Sequence, residues 1–229
     1  MSLIVHSSEK AFEKLILEKF NLLLNVFDFN PNKIYPYKIE VNIVDSLKDF
    51  LDIFKEGKNS NPPDYVVGFA ANNGRIFILN KKLFNERGHA ESEFENVIVH
   101  ELCHIFLRRI LDPKHTLIWI EEGICQYLAF KDYNFSFSKQ IDFRKLETKE
   151  DWRENHAYRQ SAAFFKFLSE KYGFEKIIEF IKLIKKKSEY EAFNEIFDNF
   201  EEVQEMFFKS LKLKNENKTS SRHSLQSKS

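Results

Sequence analysis

The stretch VIVHELCHIFLRR, Val97 to Arg109, sets His100, Glu101 and His104 into an otherwise apolar run of Val97, Ile98, Val99, Leu102, Ile105, Phe106 and Leu107. It reads as the middle of a helix from about Ser92 to Leu111, closed by Asp112-Pro113. Burying three polar side chains there costs free energy unless each finds a partner. Either a hydrogen-bonded core or a metal ion would supply one.

The spacing gives the ion a physical basis. Four residues advance a helix by slightly more than one turn, so both imidazoles of His100-Glu101-Leu102-Cys103-His104 point the same way. Two neutral ring nitrogens can then reach one Zn²⁺ at about 2.0–2.1 Å. Glu101, beside the first histidine, would face the metal-activated water and take its proton rather than ligate. At this chain's His and Glu frequencies HExxH arises by chance in roughly one sequence in forty, so the motif carries information. Two hydrogen-bonded core histidines are its alternative.

A catalytic zinc wants a third protein ligand and an open position. The next helical run, LIWIEEGICQYLAFKDY from Leu117, offers Glu121 and Glu122 near its start. The short DPKHT connection favours antiparallel helices, which would return a carboxylate to the histidine pair. Helical geometry does not choose between the two glutamates. Acidic residues in a first turn are also favoured by the helix dipole alone.

The rest of the chain supports an α+β class. The sequence has 229 residues, 43% hydrophobic and 31% charged, as expected of a soluble globular protein of one main domain. Lys+Arg 35 balances Asp+Glu 35, which argues against a general nucleic-acid or anionic-membrane binder. No transmembrane run and no signal peptide is visible, so the expected location is cytoplasmic. Cys103 and Cys125 do not make a disulfide framework and read as buried small residues. Residues 9–28 have helical apolar spacing, YKIEVNIV alternates as a strand, and Ser46 caps a short helix ending near Gly57. YVVGFAANNGRIFILN reads as a hairpin turning on Asn73-Gly74, with Gly68 marking a bulge or a close backbone approach. From Glu91 onward the pattern is almost wholly helical. The expected division is an α/β subdomain over 1–90, a helical subdomain over 91–211 and a disordered polar tail over 212–229.

HELCH followed by WIEEGICQYLA resembles the gluzincin branch of zinc metallopeptidases, whose second signature reads W-x-x-E-G-x-A-x-Y. Trp119, Glu122, Gly123 and Tyr127 match it, with Cys125 at the small-residue position. The resemblance is strong over 97–128 and extends weakly over about 65–211. It implies a zincin-like fold, an N-terminal helix and small mixed sheet followed by a mostly helical part. It implies one Zn²⁺ per chain on His100, His104 and Glu122, with Glu121 not a ligand. It implies Glu101 as the general base in hydrolysis of a peptide or protein substrate. Tyr158 matches loosely the tyrosine that faces the site from a later helix, and would serve as an oxyanion donor. The GAMEN-type anchoring strand of large aminopeptidases is absent, so aminopeptidase specificity is not implied. VVGFAANNG would act as a plainer edge strand, taking a peptide by strand addition.

Other readings stay open beside this one. The chain could be a catalytically inactive zincin-like binding or regulatory domain, or a protease with one narrow target. His115 reads as a loop residue. His156, two before Tyr158, is a second candidate for contact with the oxyanion. The phenylalanines Phe164, Phe165, Phe167, Phe174 and Phe180 read as core. Oligomeric state is not legible.

Overall fold

Alternation builds the sheet. In β2 (Lys38–Val44) Ile39, Val41 and Ile43 are buried while the residues between them are not. In a computed structural model describing residues 2–29, 38–71, 73–111, 117–130, 140–146, 148–155 and 157–211, β2 pairs in parallel with β1 (Ser2–His6) and β4 (Arg75–Leu79). The short β3 (Gly68–Ala70) pairs antiparallel with β4. The order β1-β2-β4-β3 makes a small mixed sheet with β1 and β3 at its edges. The chain is α+β, as expected. β1 was not expected: SLIVH is five residues long, and its partner β2 is more than thirty residues away.

The hairpin forms from the expected runs, but its turn differs. Ala71 and Arg75 close it, with the Ala71 N–H donating to the Arg75 carbonyl at 2.7 Å. Three residues therefore connect the strands, not two. Gly74 has φ +85, and a Cβ there would also stand 2.8 Å from the Lys38 carbonyl oxygen, so glycine is required twice over. The helix α2 (Leu47–Lys58) is capped by the Ser46 hydroxyl, which accepts from the Asp49 N–H. It runs through Gly57 and stops at Asn59, whose left-handed φ of 53 ends it.

Two layers cover the sheet. Val41 lies opposite Ile76 and Ile43 opposite Ile78, giving one buried apolar face. The helix α3 (Phe94–Ile110) packs on β3 and β4. Its far side meets α1 (Lys10–Val26) and the residue after it, through Phe12–Phe94 at 4.8 Å, Phe20–Phe106 at 5.6 Å and Phe27–Phe106 at 5.7 Å. A helix covered from both sides must be apolar nearly all round, which accounts for the composition of Val97–Leu107. On the other face of the sheet Phe69 and Phe77 stack at 5.2 Å, and Phe50 and Phe54 of α2 meet Phe69 edge-on.

The later helices are α4 (Ile118–Ala129), α5 (Lys149–Glu154), α6 (Ala157–Tyr172), α7 (Phe174–Leu183), α8 (Glu189–Phe197) and a last helix over 200–211. Trp119 is their aromatic hub. Its ring lies 5.6 Å from Phe165, 5.8 Å from Phe200, 6.1 Å from Phe180 and 6.3 Å from Phe143. Phe164, Phe165 and Phe180 are fully buried, whereas Phe167 and Phe174 are half-buried. Gly173, at φ +90, separates α6 from α7. The chain divides into two compact units, 1–113 with 124–131, and 114–123 with 132–229. Pro31, Pro36, the DPKHT connection, His115, His156 and the 212–229 tail lie outside the described residues. No helix among the described residues is long and apolar enough to cross a membrane.

Candidate metal centre

On α3 the two histidines behave as their spacing requires. The Nε2 atoms of His100 and His104 face each other at 3.1 Å, with the rings 4.7 Å apart and nearly perpendicular. Glu122, in the first half of α4, brings a carboxylate oxygen to them. The three ligand atoms lie within 4.8 Å of one another. Among the described residues this is the one such group of His, Cys, Asp and Glu side chains. It does not include Glu121.

The donor set fits zinc. Two imidazoles and a carboxylate are a known catalytic combination for Zn²⁺. Two nitrogens about 2.0–2.1 Å from one tetrahedral ion stand about 3.3 Å apart, close to the separation found. The same group can also exist without metal, one ring donating its Nε2–H to the other. Either way His100, His104 and Glu122 could hold a metal ion.

Glu101 is 7% exposed and His104 5% exposed. No described residue hydrogen-bonds the Glu101 carboxylate, which leaves its oxygens to water or to a ligand. What lies over it is the edge strand. A Cβ on Gly68 would stand 2.8 Å from Val97 Cγ1, 3.3 Å from Glu101 Cγ and 3.5 Å from Glu101 Oε1. Gly68 is therefore a close approach of β3 to α3, but what it meets are the side chains of Val97 and Glu101 rather than another backbone. Gly68→Ala is expected to push β3 off α3 or to turn the Glu101 carboxylate aside. If the group holds a metal ion and acts in hydrolysis, turnover should fall more than about ten-fold with metal uptake unchanged, since a 1 Å misplacement can cost up to about a hundred-fold. Parallel metal analysis and rate measurement check this.

Glu122 is carried by tight packing of α4 on α6. The buried Ser161 hydroxyl donates to the Trp119 carbonyl at 2.7 Å. Gly123 lies so close to α6 that a Cβ would fall 2.0 Å from Ser161 Oγ and 2.7 Å from a Phe165 ring carbon. Trp119 and Gly123 are thus packing residues on either side of the Glu121-Glu122 pair. The Trp119 Nε1–H is buried and meets no acceptor among the described residues.

Tyr158 sits in the first turn of α6, half-buried, its ring 5.7 Å from Trp152. Cys103 and Cys125 are fully buried, and neither belongs to the metal group. One residue that bonds to the strand over Glu101 went unremarked in the sequence. Arg108 donates from Nη1 to the Ala70 carbonyl at 3.2 Å. Its signal was available: it follows Glu101 by seven residues, two turns along the same helical face.

Uncharacterized protein YhcO of Bacillus subtilis (strain 168) is similar to the chain, 30% identical over 159 residues. The match takes in 59% of this chain and 49% of that protein, so the chain spans about half the length of the curated relative it matches. No family model and no solved structure matches the chain.

Proposed function

We propose that the chain is a zinc-dependent metallopeptidase of the gluzincin type, with a zincin-like fold. The observation that carries this reading is the convergence of His100, His104 and Glu122, within 4.8 Å of one another, on the helix turn that bears Glu101. His100 Nε2, His104 Nε2 and a Glu122 oxygen would hold one Zn²⁺. When bound, the ion supplies Lewis acidity to a carbonyl and to water, whose pKa it lowers towards about 7.

The remaining chemistry belongs to the chain. Glu101 accepts a proton from the attacking water and returns it to the leaving amine. Its near-complete burial beside β3 supports this role, because a carboxylate freed of protein hydrogen bonds can exchange them with water. Tyr158 would donate its hydroxyl to the oxyanion. The edge of β3 would hold the peptide by backbone pairing, with Gly68 allowing the approach to Glu101.

Glu101→Gln tests the reading directly. The amide keeps the shape and removes the base. Cleavage of a peptide library by the zinc-loaded protein should fall by about 10²–10⁴-fold while metal content stays the same. Equal cleavage by both proteins would remove Glu101 from the mechanism.

A further inference from the structure

The outward-facing groups of β3 follow from its pairing. The Leu79 N–H donates to the Val67 carbonyl at 2.8 Å and the Ala71 N–H to the Arg75 carbonyl at 2.7 Å, with Phe69 opposite Phe77 between them. The odd-numbered residues thus bond to β4, and the backbone groups of Val66, Gly68 and Ala70 point away from it. Two of these three residues are already engaged. The Val66 N–H donates to the Pro63 carbonyl at 3.0 Å, and the Val66 carbonyl accepts from Arg87 Nε at 3.3 Å. The Ala70 carbonyl accepts from Arg108 Nη1 at 3.2 Å and from Lys58 Nζ at 3.4 Å. Among the described residues nothing meets the N–H or C=O of Gly68, or the N–H of Ala70.

The closure on the Val66 side is firm. Arg87, its side chain 8% exposed, also donates to the Pro63 carbonyl and pairs with Asp64. His89 Nε2–H donates to the Tyr65 carbonyl at 2.7 Å. Each of residues 63–66 is therefore held by Arg87 or His89.

An open strand edge pairs with any extended chain unless something blocks it. Here cations cap a carbonyl at each end, Ala70 keeps only its N–H, and the one residue with both N–H and C=O free is Gly68, packed on Glu101. We infer that β3 is a one-residue docking slot for an extended peptide. A single peptide residue pairs with the N–H and C=O of Gly68. Arg87 on one side, and Arg108 with Lys58 on the other, stop the pairing from continuing. The inference rests on the peptidase reading and sharpens its substrate class: a segment extended over only a few residues, such as a loop or a chain end, rather than a long strand.

A backbone scan tests it. A peptide cleaved by the zinc-loaded protein is selected from a random-sequence library and resynthesised with one N-methyl group at each position in turn. Binding of each version to zinc-loaded Glu101→Gln is measured by calorimetry. One residue should be sensitive, losing about ten-fold in affinity, while residues two positions to either side change by less than about two-fold. In the double variant Arg108→Met/Lys58→Met, which removes both donors, sensitivity should spread to a second residue two positions away, because the Ala70 carbonyl can then accept from the peptide. Sensitivity at alternate residues of the peptide in the parent protein, or at none, overturns the slot and leaves the peptidase reading standing. A library in which nothing is cleaved or bound overturns both.

Discussion

His104→Ala is expected to strip the protein of zinc. Purified from zinc-containing medium, the parent chain should carry about one Zn²⁺ and the variant none. The two imidazole nitrogens already face each other at 3.1 Å with a Glu122 oxygen within 4.8 Å, so little of the binding energy goes into assembling the site. Four-ligand structural zinc sites bind with about 10–16 kcal/mol, or about 3 kcal/mol per ligand, so losing one ligand should weaken binding by at least about two orders of magnitude. Stability gives a second reading. Zinc at about a hundred times its Kd adds about 2.7 kcal/mol to the folded state. In a chain of this length that raises Tm by about 5–10 °C, and the variant should show no such rise. The metal-free variant should fold, because alanine removes a buried polar ring and leaves the apolar contacts of α3 intact. A parent chain that takes up no zinc would leave two hydrogen-bonded core histidines. A variant that keeps its zinc would remove His104 from the site.

The parts of this site that lie within one helix were legible, and the parts made by packing were not. The pairing of His100 with His104 is set by helical pitch, so four letters of spacing carry it. The approach of Gly68 to Glu101 left a trace because a Cβ there would stand 2.8 Å from Val97 Cγ1 and 3.3 Å from Glu101 Cγ, though the partner could not be named. Helical geometry did not choose between Glu121 and Glu122; only the match of Glu122-Gly123 to the gluzincin signature pointed to Glu122. Adjacent helical residues point about 100° apart, and which one meets the histidines depends on how α4 is rotated by Trp119 and Gly123. β1 was missed for a related reason: a five-residue strand whose stability comes from a distant parallel partner has little pattern of its own. The caps on β3 were invisible, since Arg87, Lys58 and Arg108 come from three different elements and act on backbone carbonyls, which the sequence does not distinguish.

Gly123→Ala should destabilise the protein and loosen its metal, although alanine is the better helix former. Within α4 the substitution gains about 1 kcal/mol of helix propensity. Against this, the new Cβ would stand 2.0 Å from Ser161 Oγ and 2.7 and 2.9 Å from two Phe165 ring carbons. Neither neighbour can step aside cheaply. Ser161 is fully buried, and rotating its hydroxyl breaks the 2.7 Å bond to the Trp119 carbonyl. Phe165 is fully buried and stacked on Trp119 at 5.6 Å. Overpacking costs about 1–3 kcal/mol and a stranded buried carbonyl about 1–3 more, so the net loss should be about 1–5 kcal/mol. Tm should fall by about 2–20 °C. Moving α4 off α6 also moves Glu122, one residue before the clash, so zinc affinity should drop by about ten-fold or more, in the range of losing an outer-shell support. Adding Ser161→Gly removes the nearest obstacle. The double variant should recover about 1 kcal/mol or more over the sum of the single changes, since the two positions touch. A neutral or stabilised Gly123→Ala, with zinc affinity unchanged, would mean that α4 does not rest on α6 at this glycine and that Glu122 is held some other way.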